Sequence, residues 1–356
     1  MIAFDLLFSP IHSSTCISNV PVASDFVVTA MDLAFGAEIA VCIFLWYFAS
    51  AIANTTSRKI LVQGPPLPVV LTMLQFLMAS GFGFFTLRLS KIRPYTPLPP
   101  KAIPAMTKLT VAYTLGFLFV NAGYLAVNVS LAETLRSTEP LITVALAVFI
   151  LKSEPVSTLE RWAMLPIVLG GILSSMGDSS FSAMGFLFVC CSNLSFSLRS
   201  MFTKQLRFVY EGEALNVFYQ VSSYGFLLLF GILILKDVMI SLFGGFDRRL
   251  ADYSLLNENI GFYFSAEGFV LVLVNGIGYV VYNQTSFYVL SRVRMVTHGV
   301  ANAFRRIVTI LFSVWYFGNQ INLTNGFGIG LAVCGVLLYA KAKDSTRFPL
   351  PKVLET

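Results

Sequence analysis

The chain has 356 residues, 56% of them hydrophobic and 12% charged, with a mean hydropathy of +0.77; soluble domains carry roughly 25% charged residues, so lipid is its solvent. The net charge of +6 belongs mostly to the turns between apolar runs and makes no case for nucleic-acid binding. Two histidines and five cysteines without paired metal spacing complete no ligand set, so no metal, no cofactor and no catalysis is indicated.

Residues 1–34 contain neither Lys nor Arg and look like neither an Arg-rich transit peptide nor a secretory signal; they read as a flexible N-terminal segment. Ten spanning helices are predicted after it, because the apolar runs supply the ~20 residues a crossing needs and lack the dyad alternation of a barrel strand. The first covers about 36–57. The second, about 64–88, opens on Pro65, Pro66 and Pro68 and is stopped by Pro94, Pro97, Pro99 and Pro100. The third, fourth and fifth cover about 104–126, 128–151 and 157–177, the last closed by Gly177-Asp178. The remaining five fall at about 181–203, 214–236, 266–290, 295–318 and 321–340, with 237–263 a solvated connection and 344–356 a tail. Gly326-x-Gly-x-Gly330 follows no strand, so it reads as close helix packing rather than a phosphate loop.

An even number of spans puts both termini on one side. Fifteen basic residues then lie on that side against five opposite, as the positive-inside pattern requires. Arg136, Arg199, Arg305 and Arg306 are left within helices. Arg199, five residues before Lys204 at a helix end, reads as a snorkelling side chain or as half of a structural ion pair. The other three need a compensating partner, since a cation at the bilayer centre costs roughly 2.5–3.5 kcal/mol on insertion scales. A guanidinium pairs bidentately with phosphate oxygens and sheds water more readily than an ammonium, so the economical partner is a phosphate dianion. Glu133, one turn before Arg136, is placed to offset part of that charge when no anion is bound. Glu139, beside Pro140, reads equally as structural or as a brace for Arg136.

Ser130-Leu-Ala-Glu-Thr-Leu-Arg136 resembles Gly299-Val-Ala-Asn-Ala-Phe-Arg305 at an offset of 169 residues. The expected architecture is therefore all-α: two inverted five-helix repeats, 35–178 and 179–343, with Arg136 and Arg305 converging on one midplane cavity.

Tyr282-Asn-Gln, Val296-Thr-His-Gly-Val-Ala-Asn-Ala-Phe-Arg-Arg306 and Gly335-Val-Leu-Leu-Tyr339 resemble the C-terminal signature of the triose-phosphate translocator family. That is the plastid phosphate-translocator branch of the drug/metabolite transporter superfamily, related to nucleotide-sugar transporters. Asn121, Val129-Ser130, Arg136 and Glu139-Pro140, then Ser192-Asn193 with Phe196 and Arg199, extend the likeness to the first half and the sixth helix. The resemblance implies that the family's phosphate-binding lysine falls on Arg136, its Lys-Arg pair on Arg305 and Arg306, and its substrate-contacting tyrosine on Tyr282. Tyr282 on its own reads equally as helix packing. The family's third-helix histidine and threonine fall on Phe117 and Val120, and a histidine common before its fourth-helix lysine is Glu133. The implied function is exchange of a triose phosphate or related sugar phosphate for inorganic phosphate, in the plastid envelope, by a non-enzymatic membrane protein. The alternative is a nucleotide-sugar antiporter of the Golgi or endoplasmic reticulum.

Overall fold

A computed structural model describes residues 23–146, 158–243, 261–292, 295–319 and 322–345. Regular secondary structure among them is helical throughout: α1 (Ala23–Gln63), α2 (Pro68–Phe84, continued by a π turn at Phe85–Leu89), α3 (Ile103–Ala126), α4 (Val129–Arg136), α5 (Glu139–Leu146), α6 (Thr158–Gly177), α7 (Ala183–Arg207), α8 (Ala214–Phe243), α9 (Ala266–Arg292), α10 (Met295–Phe317) and α11 (Leu323–Ser345). Among the described residues, seven stretches are long and apolar enough to cross a membrane: Ala37–Gln63, Pro68–Leu89, Pro100–Ala126, Ala183–Arg207, Ala214–Leu235, Ala266–Ser286 and Leu323–Ala342. Large apolar side chains such as Phe44, Leu169, Leu227, Phe269 and Phe327 point outward along the bundle. This is the inside-out polarity expected where the solvent is hydrocarbon.

The span expected at 128–151 is broken. Pro140, second in α5, has no N–H to extend the α4 ladder, and Ser137 and Thr138 form the turn between the two short helices. Their hydroxyls donate to the carbonyls of Thr134 (2.5 Å) and Leu135 (2.8 Å), alongside the N–H groups of the same two residues at 3.1 Å. Residues 147–157, which hold the rest of that span, lie outside the described residues. Glu160 and Arg161 in α6 and Arg305 and Arg306 in α10 make these two helices less apolar than the seven.

Helix α1 runs further than expected at both ends, so Arg58 and Lys59 sit in its last turns rather than in a loop. The Arg58 guanidinium donates to the carbonyls of Tyr124 (2.7 Å) and Val127 (2.5 Å), capping α3 with a cation at the negative end of its dipole. It also stands 5.9 Å from the Phe317 ring at the end of α10. Residues 1–22, 244–260 and 346–356, which hold most of the expected N-terminal segment, the long connection and the tail, are outside the described residues.

The principal helix pairs are α6 with α11, α3 with α7, α1 with α9, and α2 with α8; α10 packs on α1 and α4, while α7 packs on α4 and α5. Buried amides tie α1, α2, α3 and α9 together. Gln75 donates to Asn275 Oδ1 (2.9 Å) and Ser57 (3.2 Å), Asn275 donates to Ala53 O (2.8 Å), and Asn121 donates to Thr72 (2.9 Å) and Gln75 (3.1 Å).

The α6·α11 pair is joined backbone to backbone. A Cβ on Gly170 would lie 2.3 Å from Ala332 N, and one on Gly328 would lie 2.3 Å from Ser174 N, whereas one on Gly330 would meet nothing within 4 Å. Of that glycine run, Gly328 therefore makes the close approach. Gly170→Ala and Gly328→Ala should each destabilise the protein by about 1–3 kcal/mol through overpacking, with Gly330→Ala as the neutral control. Thermal melts in detergent measure this; equal melting points for Gly328→Ala and Gly330→Ala would contradict the packing.

Candidate functional site

A cavity of about 180 Å³ opens where α1, α3, α7, α9 and α10 surround the α4–α5 break. Arg136, Arg305, Arg306 and Tyr282 all line it. Their convergence follows from the helix geometry. Arg136 is the last residue of α4, while Arg305 and Arg306 are adjacent on α10 and diverge around its axis, so they find different partners. Arg305, 6% exposed, donates Nη1 to Ser50 Oγ at 2.5 Å and Nε to Asn302 Oδ1 at 3.0 Å. Arg306, 5% exposed, donates Nη2 to Glu139 Oε2 at 3.0 Å and Nη1 to the Glu133 carbonyl at 3.5 Å. Arg136 Nη1 meets Glu133 Oε1 at 2.6 Å.

Glu133 is fully buried and is not part of the cavity wall; it lies behind the guanidiniums. Its Oε1 accepts from the Tyr124 hydroxyl (2.5 Å), Arg136 (2.6 Å) and Asn54 Nδ2 (3.4 Å). Its Oε2 takes no hydrogen bond and faces Arg306 Nη1 at 4.0 Å. Glu139 does line the cavity, and its carboxylate pairs with Arg306.

Arg199 is a cavity residue that the sequence reading sent elsewhere. Its guanidinium lies 5.1 Å from the Tyr113 ring and 5.7 Å from the Phe196 ring, both buried, so it turns inward instead of snorkelling to the interface. Spacing to a helix end allows either direction. The signal that favoured the inward one was Phe196, one turn earlier on the same face. Four arginines against two glutamates leave two positive charges around the cavity, the charge of one dianion.

Part of the wall is aromatic, and cations stand against it: the Arg136 guanidinium lies 5.4 Å from the Phe196 ring. Phe117 is packed among Tyr113 (4.9 Å between centroids), Tyr279 (5.0 Å), Phe196 (5.2 Å) and Phe76 (6.0 Å). The Tyr279 hydroxyl is committed to that of Tyr113 at 2.7 Å. Amides at the cavity edge are committed too: Asn54 to Glu133, Gln75 and Asn121 to the network described above, Asn283 to Tyr279 O (2.8 Å), and Asn302 to Arg305. Among the described residues, no group of His, Cys, Asp and Glu could hold a metal ion.

A model of the Triose-phosphate Transporter family matches residues 37–340. The chain is 30% identical over 321 residues to phosphoenolpyruvate/phosphate translocator 3, chloroplastic, of Oryza sativa subsp. japonica, an alignment covering 87% of this chain and 76% of that one. It is 28% identical over 303 residues to the chloroplastic triose phosphate/phosphate translocator of Pisum sativum, covering 84% and 71%. A solved crystal structure at 14% identity aligns with a TM-score of 0.52 over 85% of this chain and 95% of the other, a likeness of fold alone.

The ion pair beneath the cavity has a measurable stability consequence. Glu133→Ala leaves the Arg136 guanidinium buried beside a lost partner, which typically costs about 3–5 kcal/mol. Glu133→Gln keeps an acceptor for the Tyr124 hydroxyl and should lose less. The check is thermal melting of both variants in detergent; a Glu133→Ala protein as stable as the parent would show that the pair contributes nothing.

Proposed function

The chain belongs to the Triose-phosphate Transporter family, and from that premise we propose that it is a secondary transporter exchanging a phosphorylated three-carbon metabolite for inorganic phosphate. The carrying observation is the convergence of Arg136, Arg305 and Arg306 on one cavity. Each guanidinium keeps donors for an incoming phosphoryl oxygen, and Arg199 adds a fourth cation at the rim. Glu139 holds Arg306 until an anion arrives. Tyr282, against the same cavity, is assigned a substrate contact, and Glu133 the positioning of Arg136.

The cavity volume of about 180 Å³ favours a compact substrate. Pockets for drug-sized ligands run roughly 300–1,000 Å³, so a nucleotide sugar would need more room than this site offers. Relatives named as chloroplastic support a plastid envelope location for an integral membrane protein of this kind.

Alternating access by ten spans in two inverted five-helix repeats, 35–178 and 179–343, is the transport mechanism that fits. Its support is in the helix pairing. Exchanging α1 with α7, α2 with α8, α3 with α9, α4–α5 with α10 and α6 with α11 turns the α3·α7 pair into α9·α1, and the α1·α10 pair into α7 with α4–α5. The α2·α8, α4·α10 and α6·α11 pairs map onto themselves, which supports a cavity lying between the halves.

Replacing Arg136, Arg305 or Arg306 by Ala should cut phosphate counter-exchange in proteoliposomes by about 10- to 150-fold. The basis is that a hydrogen bond to a charged group contributes about 1.5–3 kcal/mol. Arg136→Lys should recover the most activity. Undiminished exchange by correctly inserted Arg305→Ala protein would sink the site assignment. Transport should also be obligatory exchange: uptake of labelled phosphate into vesicles loaded with phosphate should far outrun uptake into vesicles loaded with sulfonate buffer alone, and equal initial rates would favour a uniporter or channel.

A further inference from the structure

Two closely packed helix pairs face each other across the cavity, α1 with α9 and α3 with α7, and all four helices contribute to its lining. They are the pairs that the proposed two-repeat relation exchanges, so their relative tilt is what would open one end of the cavity or the other. On α1 the lining runs from Trp46 to Ser57, and on α3 from Phe117 to Tyr124. The next residue of α1 is Arg58, which donates Nη1 to the carbonyls of Tyr124 at 2.7 Å and Val127 at 2.5 Å. We propose that Arg58 is a latch: it shuts the cavity at the end where α3 turns into α4 by fastening the α1·α9 pair to the α3·α7 pair, and it must release before a solute can pass that end. The proposal rests on the exchanger reading and adds to it the contact that gates one mouth of the cavity.

Three observations carry it. First, Arg58 reaches across from one pair to the other, whereas its neighbour does not. Lys59 turns to Glu267 at the start of α9, at 3.4 Å, and so binds α1 to its own partner. Val127 is wedged against α7, since a Cβ on Gly185 would lie 2.5 Å from Val127 Cγ1; a bond to the Val127 carbonyl therefore holds α7 as well as α3. The Arg58 guanidinium also stands 5.9 Å from the Phe317 ring at the end of α10, the helix that carries Arg305 and Arg306. Second, the contact is reversible. Arg58 is half-buried and five residues from the end of α1, so the guanidinium and both carbonyls can take water in place of each other when the pairs part. A fully buried ion pair would leave uncompensated charge on opening. Third, the latch and the phosphate clamp share a residue. The Tyr124 carbonyl takes Arg58, and the Tyr124 hydroxyl donates to Glu133, the partner of Arg136. Release of the latch frees the α3–α4 hairpin that carries Arg136, so the clamp loosens at the end through which the anion leaves.

Distances between two spin labels, measured by pulsed double electron–electron resonance, read the opening directly. Val62 in the last turn of α1 and Ala183, the first residue of α7, are both exposed and lie at the latched end of opposite pairs. Each is replaced by a labelled cysteine in a full-length chain whose five native cysteines are changed to serine. The protein is reconstituted in liposomes, and phosphate counter-exchange is measured on the same preparations. Arg58→Gln should raise the ratio of separated to latched distances by about tenfold or more, the shift expected when hydrogen bonds from a charged donor are lost. Arg58→Lys, which keeps a cationic donor, should restore most of the latched population. Phe317→Leu removes only the ring contact and should move the distribution the same way by less; it keeps the test decisive if Arg58→Gln does not fold. Gly328→Ala, which loosens the α6·α11 pair instead, should leave the distribution unchanged. Counter-exchange should fall severalfold in Arg58→Gln, because one mouth no longer closes in each cycle, and recover in Arg58→Lys.

Distances untouched by Arg58→Gln and Phe317→Leu, or moved as far by Gly328→Ala, would overturn the latch and leave the exchanger reading standing. Absence of phosphate counter-exchange in the chain with its native cysteines, with the distances still shifted by Arg58→Gln, would overturn the exchanger reading and leave Arg58 as the closure of the cavity. The two failures are therefore distinguishable.

Discussion

A guanidinium taken out of water without a partner is the constraint around which this molecule is arranged. Moving such an ion into low dielectric costs several kcal/mol even after relaxation, and three of them lie within one cavity wall. Each has a distinct answer. Arg136 has the Glu133 carboxylate at 2.6 Å, Arg306 has Glu139 at 3.0 Å, and Arg305, among the described residues, donates to the neutral oxygens of Ser50 and Asn302. The break at Ser137–Thr138 belongs to this arrangement. It lets two carboxylates six residues apart approach Arg306 from separate helices, Glu133 from α4 and Glu139 from α5. Pro140 is the local cause of the break, and Glu139 beside it is what the break re-aims.

Around this charged centre the packing is of two kinds. Between α6 and α11, Gly170 and Gly328 let backbone meet backbone, and Ser174 beside Gly328 donates to Asn325 Oδ1 at 2.9 Å. Next to the cavity, α1, α2, α3 and α9 are joined instead by Gln75, Asn121 and Asn275. In hydrocarbon the alternative for those amides is no partner at all, so a satisfied network specifies one register among the helices. Its directional bonds also keep the amides from competing for the guanidiniums. The cations thus remain available to the cavity while the neutral polar groups do not.

Much of this was legible in the chain and some was not, for identifiable reasons. Uninterrupted apolar runs revealed the membrane class because length alone distinguishes a crossing helix. Arg136, Arg305 and Arg306 stood out because charge in such runs is rare, and the repeated Ala-x-x-x-Arg pattern paired them before any geometry was known. Glu133 and Arg136 were correctly put on neighbouring faces by their three-residue spacing, but spacing gives a face and not a depth. The shorter carboxylate ended behind the longer guanidinium rather than in the cavity. Glu139 could be tied to Arg136 or to nothing, because its true partner, Arg306, is 167 residues away. Arg199 near a helix end could have snorkelled; the buried rings of Tyr113 and Phe196 decided otherwise, and Tyr113 comes from α3. The ends of α1 were also misjudged. Arg58 looked like a loop residue until the α3 carbonyls gave it a reason to stay helical.

The uneven pairing of the three arginines bears on how an exchanger of this design would work. Glu139 occupies Arg306 in the absence of ligand and so acts as an internal anion at one edge of the clamp. Arg305 has no such substitute; its partners are neutral, and its charge is offset only at a distance. An empty cavity closing around that cation would lose water without gaining a counter-charge, which raises the energy of an empty occluded state relative to a loaded one. A dianion would remove the deficit, because its two negative charges match the two positive charges left by four arginines and two glutamates. A monoanion would leave one charge over, and a neutral solute two. In such an exchanger, charge matching and compulsory exchange would both follow from the same two carboxylates: they would neutralise the site far enough for the protein to fold, and not far enough for the empty site to reorient across the membrane.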